Sequence, residues 1–323
     1  MIAAMLLPLI TVACGLAVLT WSADRFVNAA AATARRTGLS ELLVGMTIVA
    51  LGTSAPEMVV ALFAALDGLP DLATGNALGS NIANIGLVLG ATALVRPIPV
   101  PFSLVRRELP LLLGATGVTG YALANGILGR FDALILVLLM IFSVWWLVRA
   151  DTPDTPNTIP GDAIPDMTLK HALLWVVLTL VLLSLSSRAL VWGASELARG
   201  LGISELVIGL TVVAVGTSLP ELAACVASAL KRQHDLAIGN VIGSNLFNLL
   251  AVLPIPAVLA PGAPHPDAAG RDYRVMLLLT LAMAILLLWQ RQGRLGRVAG
   301  AAFLATYAAY LVWLGLSGGA TLE

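Results

Sequence analysis

Two glutamates stand inside long runs of Leu, Val, Ile and Ala, each directly after a proline: Glu57 in GTSAPE and Glu221 in GTSLPE. An ionisable side chain at membrane depth is costly to insert, so a carboxylate kept there marks a functional site by default. Pro56 and Pro220 each lack a backbone donor, which strips the carbonyl four residues back, at Gly52 or Gly216, of its helical partner. Thr53, Ser54, Thr217 and Ser218 place hydroxyl oxygens beside the same break. Back-bonding of these hydroxyls to helix carbonyls is the competing account. Broken helices at such depth are tolerated where they line a cavity or hold an ion.

A second pair of runs, GNALGSNIAN (75–84) and GNVIGSNLFN (239–248), adds amides. Asn76, Ser80 and Asn84 are four residues apart and share one helix face, as do Asn240, Ser244 and Asn248. Close packing explains Gly75, Gly79, Gly239 and Gly243, but it does not explain a stripe of amides and hydroxyls. Asn81 and Asn245 lie on another face, suited to holding the break or a neighbouring helix. The collected donors are carboxylate, hydroxyl, amide and carbonyl oxygens, without imidazole or thiolate. Such a set suits hard cations: Ca²⁺ takes 6–8 oxygens, whereas Zn²⁺ or Cu asks for nitrogen or sulfur. Two negative charges balance one Ca²⁺ or two monovalent ions. Mutual exclusion between those loads is a physical basis for exchanging Ca²⁺ against Na⁺ or H⁺.

The elements that must carry these groups are read from composition. The 323 residues are 59% hydrophobic and 11% charged, with a mean hydropathy of +0.95, far from the roughly one-quarter charged residues of a soluble domain. The expectation is an all-α polytopic membrane protein. Apolar runs place about ten spans at 3–34, 40–66, 72–95, 103–124, 131–149, 170–198, 204–230, 236–260, 274–290 and 298–316. The first and sixth are long enough for tilted helices, and the first reads as a retained span, not a signal peptide. Eighteen basic and eighteen acidic residues cancel, so no basic surface invites nucleic acid. Cys14 and Cys225 read as small core residues.

Basic residues set the orientation. The odd-numbered connections hold Arg35, Arg36, Arg96, Arg106, Arg107, Arg149, Lys170, Lys231, Arg232, Arg291, Arg294 and Arg297, against Arg130, Arg199, Arg271 and Arg274 on the other side. That bias puts the odd connections in the cytoplasm and both termini outside. The Pro- and Asp-rich stretch 151–168 reads as an extended cytoplasmic linker. It separates a first half, 1–150, from a second, 169–323.

The halves repeat. SELLVGMTIVALGTSAPE (40–57) recurs as SELVIGLTVVAVGTSLPE (204–221), and DLATGNALGSNIAN (71–84) as DLAIGNVIGSNLFN (235–248), both at an offset of 164 residues without a gap. Five spans separate equivalent positions, so the second copy enters the membrane from the opposite side. Such inverted-topology repeats place a transporter's substrate at the midplane where the halves meet.

At GTSAPE…GNALGSNIAN and GTSLPE…GNVIGSNLFN the chain resembles the sodium/calcium exchanger family, most closely its bacterial inner-membrane members. The resemblance spans the chain and implies a multi-pass protein of that membrane. It implies ion-coordinating carboxylates at Glu57 and Glu221, and hydroxyls at Thr53, Ser54, Ser80, Thr217, Ser218 and Ser244. Coordinating carbonyls fall near Ala50 and Ala214, and the last helical ligand of each half falls on Asn84 and Asn248. Several similar members carry an acid at one or both of those last positions, so amides here leave two formal charges in the site. In the family picture the first and sixth spans slide across the rest to alternate access. No cofactor and no obligate protein partner is expected; the partners are Ca²⁺, Na⁺ (or H⁺) and the lipid bilayer.

Other features have plainer readings. Ser40 with Glu41, and Ser204 with Glu205, suit helix N-caps. Asp24, Arg25 and Arg188, inside the long first and sixth runs, suit pairing or snorkelling, and Trp145, Trp146, Trp175, Trp192 and Trp289 suit interface or packing roles. A Ser54 or Ser218 hydrolase would need a base, but His171, His234 and His265 all lie near span ends or in connections. No phosphate-binding GxxxxGK[ST] loop supports a primary pump. A cation channel is a distant alternative to the antiporter, which is not expected to be an enzyme.

Overall fold

The computed structural model describes residues 2–150, 166–201, 214–289 and 294–318. Where lipid replaces water, a backbone must satisfy its own hydrogen bonds, and these apolar runs do so as helices. Helix α1 (Ile2–Thr37) ends with Arg35 and Arg36 in its last turn, where positive charge meets the negative end of the helix dipole. Ser40 caps the next helix by accepting a bond from Leu43 N–H at 3.1 Å. That helix runs as α2 (Glu41–Thr53) and α3 (Ala55–Leu66), bent by 42° at Ser54. It is followed by α4 (Pro70–Val95), α5 (Phe102–Ala124), α6 (Arg130–Ala150) and the 32-residue α7 (Leu169–Gly200). The second broken helix is described as α8 (Ala214–Thr217) and α9 (Leu219–Leu230). The chain then continues through α10 (His234–Leu259), α11 (Ala268–Trp289) and α12 (Arg297–Gly318).

Among the described residues, seven helices are long and apolar enough to cross a membrane, or eight if α2 and α3 form one span. The 23-residue α5 and the 12-residue α9 are not in that number. The start of the run expected at 204–230, with Ser204 and Glu205, lies outside the described residues, as does 151–165 of the expected linker. At the linker's end, Asp166 meets both Arg35 and Arg36 at the foot of α1, and Thr168 caps α7.

Three features depart from the sequence reading. Cys14 is exposed on the outer face of α1, not in the core, whereas Cys225 is buried as expected. A short antiparallel pairing of β1 (Ile98–Pro99) with β2 (Arg294–Leu295) ties two connections together. Wide π-helical turns interrupt α2 at Gly45–Val49, α4 at Asn84–Leu89 and α10 at Asn248–Val252.

The buried side chains fall into two clusters. The larger joins α4, α5, α10, α11 and α12; the smaller lies where α1 and α7 pack along each other and onto the broken helices, with Phe26, Val27, Leu183 and Leu190 at its centre. The two long helices are therefore a layer of their own. Between the layers, α2 crosses α10 at glycines. A Cβ on Gly45 would meet the Leu236 carbonyl at 2.7 Å, and one on Gly239 would meet the Leu42 carbonyl at 2.5 Å, so only the absence of a side chain permits this approach.

Replacing Gly45 or Gly239 with Val should therefore destabilise the detergent-solubilised protein by about 1–3 kcal/mol, the usual cost of overpacking. Gly114, around which a Cβ would meet nothing within 4 Å, is the control, and Gly114→Ala should leave the thermal midpoint unchanged.

Candidate cation site

Both helix breaks fall two residues before the prolines, because Ser54 (φ −83°, ψ 0°) and Ser218 (φ −94°, ψ 7°) leave the helical basin. Pro56 and Pro220 then sit in the first turn of α3 and α9, where a missing N–H costs nothing. Each carboxylate follows immediately, in the first turn of its half-helix, at the end where the dipole favours negative charge.

Glu57 is 2% exposed and Glu221 1%. One Glu57 oxygen, Oε2, and both Glu221 oxygens have no hydrogen-bond partner. The hydroxyls of Ser54 and Ser218 are also buried without a partner. So are the amide nitrogen of Asn84 and both amide atoms of Asn248. Buried polar atoms are almost always paired, so several orphans on the residues that flank the two breaks and open the two π-turns mark a place suited to something else binding. Asn84 and Asn248 each open the π-helical turn of their helix. Such turns free backbone groups and recur at functional sites, and no spacing in the sequence announced them.

The remaining expected ligands are placed as follows. Thr53 is buried and reaches across the halves, donating to Asn240 Oδ1 at 3.2 Å and lying 3.4 Å from Ser244 Oγ. Ser244 in turn donates to Asn240 Oδ1 at 3.4 Å. Ser80 is buried on α4. Asn76 Nδ2 donates to the Glu57 carbonyl at 3.2 Å, bracing the first break. Asn81 Nδ2 donates to the Asn245 carbonyl at 3.3 Å and so joins the two halves, whereas the Asn245 side chain donates to the Val241 carbonyl of its own helix at 2.7 Å. Thr217 lines a cavity of about 610 Å³ beside the breaks. Ala214 opens α8. The Ala50 carbonyl is engaged, accepting from Ser54 N–H at 2.9 Å and from Thr53 Oγ1 at 3.4 Å; as a ligand it would first have to give up a bond. Among the described residues no three His, Cys, Asp or Glu side chains gather, which leaves the two glutamates as the charge of the site.

One participant escaped the sequence reading. Ser187, on α7, donates to the Gly216 carbonyl at 2.6 Å, one of the two carbonyls a proline was expected to free. The available signal was the polar SLSS stretch (184–187) within an apolar run. At the repeat offset, Ser187 corresponds to Ala23, which has no hydroxyl to offer. The two breaks are thus held differently.

The family described as sodium/calcium exchanger protein matches residues 7–149 and 171–316. The chain belongs to that family. The exchanger-family chain is 46% identical over 315 residues to the putative antiporter CaxA of Alkalimonas amylolytica, covering 95% of this chain and 98% of that one. It is 42% identical to the inner membrane protein YrbG of Escherichia coli K12, covering 94% of each. Its structure superposes on that of the sodium-calcium exchanger NCX_Mj with a TM-score of 0.82 at 29% identity, over 96% of this chain and 99% of that one.

Ser187→Ala should leave the Gly216 carbonyl buried and unsatisfied, at a cost of about 1–3 kcal/mol. A lowered thermal midpoint in detergent checks this; an unchanged one would mean that another donor takes over.

Proposed function

We propose that this chain is a secondary antiporter that exchanges Ca²⁺ for Na⁺ by alternating access, without chemistry on a substrate. The observation that carries the reading is the pair Glu57 and Glu221: two buried carboxylates on two broken helices, with unpaired oxygens, beside unpaired hydroxyls and amides. Buried oxygens without partners are unfavourable, and a cation bound by both halves would relieve this. Glu57, Glu221, Ser54, Ser218, Asn84 and Asn248 form the inner ligand set in this reading. Thr53, Ser80, Thr217 and Ser244 stand around it, and the carbonyls at Ala50 and Ala214 become ligands when the breaks flex. Ca²⁺ takes both charges, and two Na⁺ replace it.

The same reading gives ten crossings in two inverted five-span halves, 1–150 and 169–323, joined by a cytoplasmic linker at 151–168. The excess of Arg and Lys on the odd connections sets both termini outside the inner membrane's cytoplasmic face. The names of similar proteins, an antiporter, an inner membrane protein and a sodium-calcium exchanger, agree with it. Protons are the second reading for the counter-ion, favoured by the unpaired oxygens of two neighbouring carboxylates. A channel is less well supported, because helices broken at one level in both halves suit alternating access.

Measuring ⁴⁵Ca²⁺ flux in proteoliposomes separates these readings. Flux is expected to follow an imposed Na⁺ gradient and to fall to the empty-vesicle background in Glu57→Gln and Glu221→Gln. Flux that follows only a pH gradient, with Na⁺ absent, would make the counter-ion H⁺. A second expectation concerns Asn248: Asn248→Asp adds a third charge and should lower the half-saturating Ca²⁺ concentration by about tenfold, since ligand charge count tunes Ca²⁺ sites.

A further inference from the structure

We propose that two ion pairs, Asp24–Lys231 and Arg188–Asp67, are alternating latches of the transport cycle, the first holding the state described here and the second holding the opposite one. The proposal rests on the antiporter reading for the existence of a cycle, but not on the identity of the cargo.

The repeat offset of 164 residues carries Asp24 onto Arg188 and Asp67 onto Lys231. Each position changes sign between the halves, yet each cross-pair keeps opposite charges. The backbone places the partners alike. Asp67 follows α3 with φ −79° and ψ 2°, and Lys231 follows α9 with φ −80° and ψ 3°. The next residues, Gly68 and Arg232, both have positive φ, 75° and 64°. Arg232 holds this conformation without being glycine, which is uncommon. The two turns are therefore one structure used twice, with a carboxylate at its tip in one copy and an ammonium in the other.

Only one latch is closed. Lys231 Nζ lies 2.6 Å from Asp24 Oδ1 and donates to Asn28 Oδ1 at 2.9 Å, and α1 packs along α9. On the equivalent side, α7 has parted from α3, and the cavity of about 610 Å³ lies between them, lined by Pro56, Val59, Leu185, Arg188 and Trp192 among others. Trp192 is the repeat equivalent of Asn28. Neither Arg188 nor Asp67 has an ion-pair partner among the described residues. The helices α1 and α7 are packed along each other, and in this cycle they move as one body. A shift that brings α7 onto α3 and closes the cavity therefore draws α1 off α9. Arg188 then reaches Asp67 as Asp24 leaves Lys231. Each end state then keeps one of the two pairs made.

Cysteine pairs test this in a Cys14→Ala background, Cys225 being buried. Asp24→Cys with Lys231→Cys, and Asp67→Cys with Arg188→Cys, are treated in proteoliposomes with a short bifunctional thiol reagent, in the absence of ions, in Na⁺ and in Ca²⁺. Each pair is expected to bridge, and in the four-cysteine protein bridging one pair should prevent bridging of the other. Failure of the 67–188 pair to bridge in every condition would overturn the proposal, as would both bridges in one molecule. The charge requirement is tested separately in a protein that retains all native cysteines. Asp67→Arg or Arg188→Asp alone should slow exchange about fivefold, the effect of losing one partly exposed ion pair, and the double exchange of charges should restore it. A double variant no faster than the singles would sink the ionic latch. Mutually exclusive bridges in a protein that moves no Ca²⁺ would leave the latches standing and overturn the cargo.

Discussion

The structure depends on one electrostatic constraint: two carboxylates are buried in the interior of a membrane protein, and no cationic side chain among the described residues pairs with either. Burying like charges is unfavourable twice over, through desolvation and through mutual repulsion. The protein does little to relieve this. It offers half-helix N-termini, whose dipoles favour anions, and a set of neutral oxygens that accept cations but do not neutralise acids. In the proposed antiporter, a mobile cation would complete a site left short of positive charge in this way.

Local irregularity follows from the same constraint. A regular helix has no backbone groups to spare, so each half interrupts one helix before a proline and widens another into a π-turn at an asparagine. These departures lie beside the buried glutamates. The rest of the bundle over-determines them: glycines at Gly45 and Gly239 let α2 and α10 meet backbone to backbone, and Asn81 bonds from one half to the other. Thr53 does the same through Asn240 and Ser244. Bonds therefore tie the site across the halves, while the α1–α7 layer outside it shares few of them.

Much of the site was legible in the amino-acid sequence because apolar surroundings make a polar residue conspicuous. Glu57, Glu221 and their neighbours stand out from Leu and Val by type alone, and the ungapped repeat turns each observation into two. The breaks at Pro56 and Pro220 follow from a missing N–H, a covalent property. The Ser40 cap was equally local. By contrast, Cys14 looked like core because an apolar run does not say which of its faces meets lipid. The bond from Ser187 to Gly216 joins residues 29 apart in sequence, and the π-turns depend on how side chains from other helices crowd the asparagines.

The sequence by itself determined which residues carry charge, where helices must break and which positions in the two halves correspond, since these depend on covalent structure and on a repeat that can be counted. The tertiary structure alone decided which of the equivalent contacts are made. Identical turns end in Asp67 and Lys231, yet α1 lies against α9 while α7 stands away from α3. A repeated sequence describes both halves alike, but the packed pair α1 and α7 lies closely against only one of the two equivalent half-helices, so packing distinguishes what the repeat does not.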